Sequence, residues 1–187
     1  MLMHPSLLSN PATGQVLKLV DNRYPGELIM DARYRARSRE PLPHYHPVQE
    51  EHFEVLTGEL TVRLEGRLHT LTSGDTLHIR PGQVHSMWNA ADRSALVRWT
   101  TRPALRTEEF HRIIFGLAEE GLVNDEGVPG LLQVSLLAKE FDNEFRLANP
   151  PRWVQQIVFC LLRPLARLVG LRSTYPARAL RPVKASF

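Results

Sequence analysis

Pro41-Leu-Pro-His44-Tyr-His46-Pro-Val-Gln-Glu50-Glu51-His-Phe53-Glu-Val55-Leu-Thr-Gly58 is the stretch on which both fold and chemistry turn. Pro41, Pro43 and Pro47 bracket the histidines, disfavouring a helix and allowing an extended edge. Side chains at i and i+2 of a strand share a face, so His44 and His46 point one way and Tyr45 the other. The next run keeps that period: Glu51, Phe53 and Val55 fall on one face, a carboxylate at the rim above apolar residues. His52 and Glu54 have the opposite parity and should face outward.

Working outward, the period of two continues through Leu60, Val62 and Leu64, turns at Glu65-Gly66-Arg67 and resumes towards Leu71. Gly74-Asp75 marks another turn, Leu77 and Ile79 alternate, and Arg80-Pro81-Gly82 sets His85 on a separate strand. About eight short strand-like runs with such punctuation predict a sandwich or barrel. His44, His46, His85 and Glu51 together make a ligand set for one divalent transition metal, and iron, manganese, nickel, copper, cobalt and zinc all accept it. One carboxylate offsets one of the two charges, so the centre stays cationic and favours an anionic or enolic substrate. By parity, Met30 lies with Leu28, Ala32 and Tyr34 on one strand face, Met87 shares the face of His85, and Trp99 comes from the last strand. Met30, Phe53, Val55, Met87 and Trp99 are thus candidate walls of a mostly apolar substrate pocket, suited to a small organic acid, enol or aromatic. Tyr34 is the candidate catalytic proton donor. His4, His52, His69, His78 and His111 lack ligand-like spacing and read as surface or hydrogen-bonded residues.

These residues resemble the two motifs of the cupin superfamily. His44-x-His46, four residues, Glu51, six residues, Gly58 is similar to the first; Gly74, five residues, Arg80-Pro-Gly82, two residues, His85, three residues, Asn89 is similar to the second. Arg80 stands where the family pattern carries proline. The six-residue gap to Gly58 assigns Glu51 rather than Glu50. The resemblance covers roughly residues 10 to 105 and implies a single jelly-roll β-barrel, mainly β overall, with the metal near its inner wall on His44, His46, Glu51 and His85. It also implies a metal-dependent, dioxygenase-like oxidoreductase as the first expectation. A metal-assisted isomerase, lyase or cyclase, or a non-enzymatic module binding a small ligand, uses the same site. Members of this kind are commonly homodimers through barrel edges, and an open edge needs covering.

Near Arg102-Pro103 the alternation stops, dividing a barrel domain, 1–105, from a helical extension, 106–187. Thr107 ahead of Glu108 and Glu109 predicts an N-cap, with Phe110, Ile113, Ile114 and Leu117 at helical spacing. A second helix is predicted from Leu131 to about Leu147, closed by Asn149-Pro-Pro151, and a third from Arg152 to Leu171, kinked or halved at Pro164. In the third, Arg152, Gln156, Arg163 and Arg167 share one sector, while Trp153, Val154, Ile157, Val158, Leu161, Leu165 and Leu168 cover about half the circumference.

The net charge of +3 hides an asymmetry: Glu144 is the last acidic residue, and eight basic ones follow it. The extension is therefore expected to dock on its own acidic barrel or a partner, with peripheral membrane contact through residues 152–171 as the alternative. The basic residues are spread without a recognition motif, so no nucleic-acid partner is expected. Cys160 is the one cysteine, which excludes an internal disulfide and fits a reducing compartment. The start lacks a basic segment followed by a sustained apolar one, and a cytoplasmic location is expected.

Overall fold

The computed structural model describes residues 7–20 and 26–174. Ten strands come first: β1 (Leu7–Asn10), β2 (Gln15–Leu19), β3 (Leu28–Tyr34), β4 (His44–Tyr45), β5 (Glu50–Thr57), β6 (Glu59–Leu64), β7 (Arg67–Thr72), β8 (Thr76–Ile79), β9 (His85–Trp88) and β10 (Ala95–Arg102). Then follow α1 (Thr107–Glu119), α2 (Leu131–Glu140), β11 (Arg146–Leu147) and α3 (Arg152–Leu168). The strands form two antiparallel sheets, ordered β1-β2-β3-β10-β5-β8 and β11-β4-β9-β6-β7. The chain is mainly β, a jelly-roll barrel followed by three helices. His4, Arg178, Arg181 and Lys184 lie outside the described residues.

Alternation in sequence becomes alternation in burial. In β3, Leu28, Met30, Ala32 and Tyr34 are buried, and in β10 Ala95, Val97, Trp99 and Thr101 are. Register sets Trp99 opposite both Met30 and Phe53, so large apolar side chains from three adjacent strands meet inside the barrel. Each such side chain stabilises the fold by roughly 1.5–3 kcal/mol when fully buried. The β6–β7 turn is Glu65-Gly66, both at positive φ, as a two-residue hairpin requires. Gly58, at φ 81°, has no room for a side chain: a Cβ there would lie 2.6 Å from the Ser94 carbonyl oxygen.

The extension departs from its predicted form in four places. Thr107 is the first residue of α1 rather than its cap, because its Oγ1 accepts a 2.8 Å hydrogen bond from Gln49 Nε2. Gln49 also donates to the Pro103 and Ala104 carbonyls, tying the start of β5 to the start of α1. The second helix ends at Glu140, not Leu147: Phe141 is fully buried, and the chain then extends so that Arg146 and Leu147 pair with Tyr45 and His44. The third helix ends at Leu168 and runs through Pro164 without being halved. The extension thus supplies the edge strand that covers β4, and Phe115 of α1 enters the barrel core. Ile113, Leu117, Leu137 and Phe141 join α1 to α2 in a second apolar cluster, and α3 packs against α2.

Candidate metal centre

His44 comes from β4, His46 from just beyond it, His85 from the start of β9 and Glu51 from β5. His44 and His85 are register partners. Gly82 N–H donates to the His46 carbonyl at 2.8 Å, so the turn before β9 also holds the segment carrying His46. One ligand nitrogen from each of His44, His46 and His85 lies within 4.8 Å of the others. Glu51, 1% exposed, places Oε1 3.2 Å from His46 Nε2 and Oε2 3.1 Å from His85 Nε2. Glu50, the rejected alternative, faces outward and meets His78 Nε2 at 3.1 Å.

The ring nitrogens divide their work. Nδ1 of His44 donates to the Leu42 carbonyl at 3.1 Å, Nδ1 of His85 to that of Gln83 at 3.0 Å, and Nδ1 of His46 to that of Glu144. A ring that gives its Nδ1 hydrogen to the backbone keeps a lone pair on Nε2, the arrangement of a neutral metal ligand. Nε2 of His46, Nε2 of His85 and Oε2 of Glu51 are all buried without a hydrogen-bond partner. Acceptors that converge in a buried space repel one another unless a cation lies among them. The donor set therefore fits a divalent metal.

Electrostatically the buried carboxylate draws positive charge into the cluster, and His44 is driven neutral. Burial opposes protonation of His46, but the Glu51 carboxylate outweighs it and raises the pKa. Burial likewise opposes ionisation of Glu51, and His46 and His85 hold it well below the usual carboxylate range all the same. Burial first, then the neighbouring His85 and His46, push His44 well below the usual imidazole value. Trp99 Nε1 donates to Glu51 Oε1 at 2.9 Å, fixing the carboxylate from the side of β10.

A cavity of about 490 Å³ opens on this cluster, lined by His44, His46 and His85 together with Tyr34, Met87 and Trp99. Met30, Phe53 and Val55 do not line it. They are 0–1% exposed and belong to the barrel core, because the interior at their level is already filled by Leu8, Leu17, Leu60 and Val62. Tyr34 reaches the cavity as a neutral phenol: burial and the Glu51 charge raise its pKa.

Much of the cavity wall comes from the extension, including Phe110, His111, Ile114, Phe145, Phe159 and Arg163. Phe145 stacks on His44 at 4.8 Å and on Phe110 at 5.1 Å, and the Glu144 carbonyl orients His46. His111 was read from sequence as a surface or hydrogen-bonded residue. It faces the cavity edge-on to Trp99 at 5.1 Å, with Nε2 sealed from solvent and unpartnered. Burial lowers its pKa to about 4, against the pull of Glu51. Nothing local in the sequence singles it out, since its neighbours are brought to it by chain folding. Asn89, part of the second motif, is buried and closes the β9–β10 turn, donating to the Arg93 carbonyl and accepting from Ala91 N–H.

Residues 32–101 match the Cupin domain family. A protein of Arthrobotrys oligospora named as an oxidoreductase is 28% identical over 124 residues, 62% of this chain and 47% of that protein. The chain therefore spans about half the length of this curated relative. Among solved structures, KdgF from a Halomonas species is similar at 23% identity and TM-score 0.43, covering 48% of this chain and 79% of that one. An RmlC-like cupin from Shewanella frigidimarina is similar at 17% identity and TM-score 0.48, covering 56% and 89%. The barrel of this chain carries a cupin domain over residues 32–101.

Proposed function

We propose that the protein is a metal-dependent oxidoreductase, dioxygenase-like, acting on a small organic acid, enol or aromatic. The observation that carries this reading is the convergence of three Nε2 lone pairs and a buried carboxylate on a largely apolar cavity. The oxidoreductase name of the Arthrobotrys relative supports it.

His44, His46, His85 and Glu51 would hold the ion. When bound, a divalent transition metal supplies Lewis acidity towards a substrate oxygen and, if redox-active, one-electron chemistry. Trp99 holds Glu51 in position through its indole N–H. Tyr34 keeps its proton at neutral pH and can donate it to a substrate oxygen. His111, neutral at the same pH, has a ring nitrogen, Nε2, that no other group engages, and its imidazole can move a proton. Phe110, Phe145 and Phe159 give the cavity an apolar wall, and Arg163 presents a guanidinium there for an anionic group.

His111 also favours a second reading, metal-assisted isomerisation or elimination, since it supplies the proton carrier such a reaction needs. Oxygen uptake by the metal-loaded protein against a panel of enols, flavonoids and small acids separates the two. The first predicts uptake stoichiometric with substrate loss; product formed without uptake overturns it in favour of the second.

A further inference from the structure

Helix α3 is turned the opposite way from a packed amphipathic helix, which buries its apolar face. Its inward side is formed by Gln155, Phe159, Leu162, Arg163 and Ala166, with Ala166 0% exposed. Gln155 Nε2 donates to the Leu147 and Pro150 carbonyls, and Phe159 and Arg163 face the cavity. At about 100° per residue, Trp153, Ile157, Leu161, Leu165 and Leu168 lie across the helix from that side. Trp153, Leu161 and Leu168 are 65%, 68% and 82% exposed. A continuous apolar stripe held in water marks an interaction surface.

Charge selects the occupant. The chain beyond Glu144 has eight basic residues and no acidic one, and the exposed Arg167 borders the stripe with Arg172 just beyond the helix. Arg146 and Arg152 are paired with Asp142, but two copies set stripe to stripe would bring Arg167 and Arg172 of each together, which opposes association. An anionic lipid surface complements them. A basic helix with a Trp and Leu face lies in the plane of a bilayer interface rather than across it, and no described helix is long and apolar enough to cross.

We propose that α3 seats the protein on anionic lipid surfaces, with Trp153, Ile157, Leu161 and Leu168 entering the boundary between headgroups and acyl chains and Arg167 and Arg172 against lipid phosphates. The opposite wall of the same helix lines the cavity. Docking therefore brings this wall of the cavity within one helix diameter, about 10 Å, of the lipid.

Flotation of the full chain with phosphatidylcholine vesicles, and with vesicles also carrying phosphatidylserine, tests this. Binding is expected to the anionic vesicles alone and to weaken with salt. Arg167→Gln and Arg172→Gln should each weaken it about fivefold. A Leu161→Ser/Leu168→Ser double variant should weaken it about tenfold or more, with circular dichroism and thermal midpoint unchanged. The proposal is overturned by absence of binding to anionic vesicles, or by binding that the double variant leaves intact. It is equally overturned by a lipid-free dimer that the double variant converts to monomer, since a second copy would then cover the stripe.

Discussion

The barrel and α3 are both amphipathic, and they point their apolar faces in opposite directions. β3, β5 and β10 turn Met30, Phe53, Val55 and Val97 inward, where each is 0–1% exposed. α3 turns Arg163 and Phe159 inward and leaves Leu161 and Leu168 in solvent. Periodicity fixes that a face exists; what lies next to the element decides which way the face turns. The barrel strands have one another. α3 has a cavity on its inner side, so Phe159 and Arg163 line open space where an ordinary helix would bury its apolar face.

The sharpest break of this comparison pairs two substitutions. Phe53→Ala should cost about 3–5 kcal/mol in urea unfolding, since Phe53 is fully buried against Trp99 at 5.4 Å. Leu161→Ser should stay within about 0.5 kcal/mol. Equal losses would mean that the α3 face is packed after all.

Next in size is the pH response. His111 has a folded pKa of about 4 against an ordinary 6.5. Between those values the unfolded chain binds more protons than the folded one, so stability rises with pH across the interval and is lost as pH falls through it. For the metal-free protein this share amounts to at most about 3 kcal/mol, and His44, also depressed, adds to the same window. The thermal midpoint should fall from pH 6.5 towards pH 4, and less steeply in His111→Phe. An identical slope in that variant would remove His111 from the account.

Smaller effects probe whether barrel and extension share the site. Trp99→Phe deletes the donor to Glu51, and Phe145→Ala deletes the ring stacked on His44. Each should weaken metal binding about 10–100-fold, the usual range for groups that orient ligands. Should only Trp99→Phe do so, the Phe145 ring would be a cover and not part of the site.

Legibility in the sequence followed the range of the contacts. The six-residue gap to Gly58 that assigns Glu51 rather than Glu50 is counted along β5 itself, and that strand buries Glu51 and leaves Glu50 half-exposed. The turn at Glu65-Gly66-Arg67 is legible for the same reason, although Arg67 already belongs to β7. Met30, Phe53 and Val55 were read onto the correct interior face, yet parity carries no information about depth along a strand, so core and pocket wall look alike. The aromatic path from His44 through Phe145 and Phe110 to His111 joins residues separated by up to a hundred positions, and no spacing rule reaches that far. The end of α2 at Glu140 was hidden likewise, since Arg146 and Leu147 become a strand only because β4 offers an edge.

Converging lone pairs at His44, His46, His85 and Glu51 need a cation among them. Elemental analysis of the purified protein beside His46→Ala, each checked for folding by circular dichroism, measures this most directly. The account predicts close to one divalent transition metal per chain in the unaltered protein and a loss of most of it in the variant. Equal and negligible metal in both folded proteins, even after incubation with the candidate ions, would contradict it.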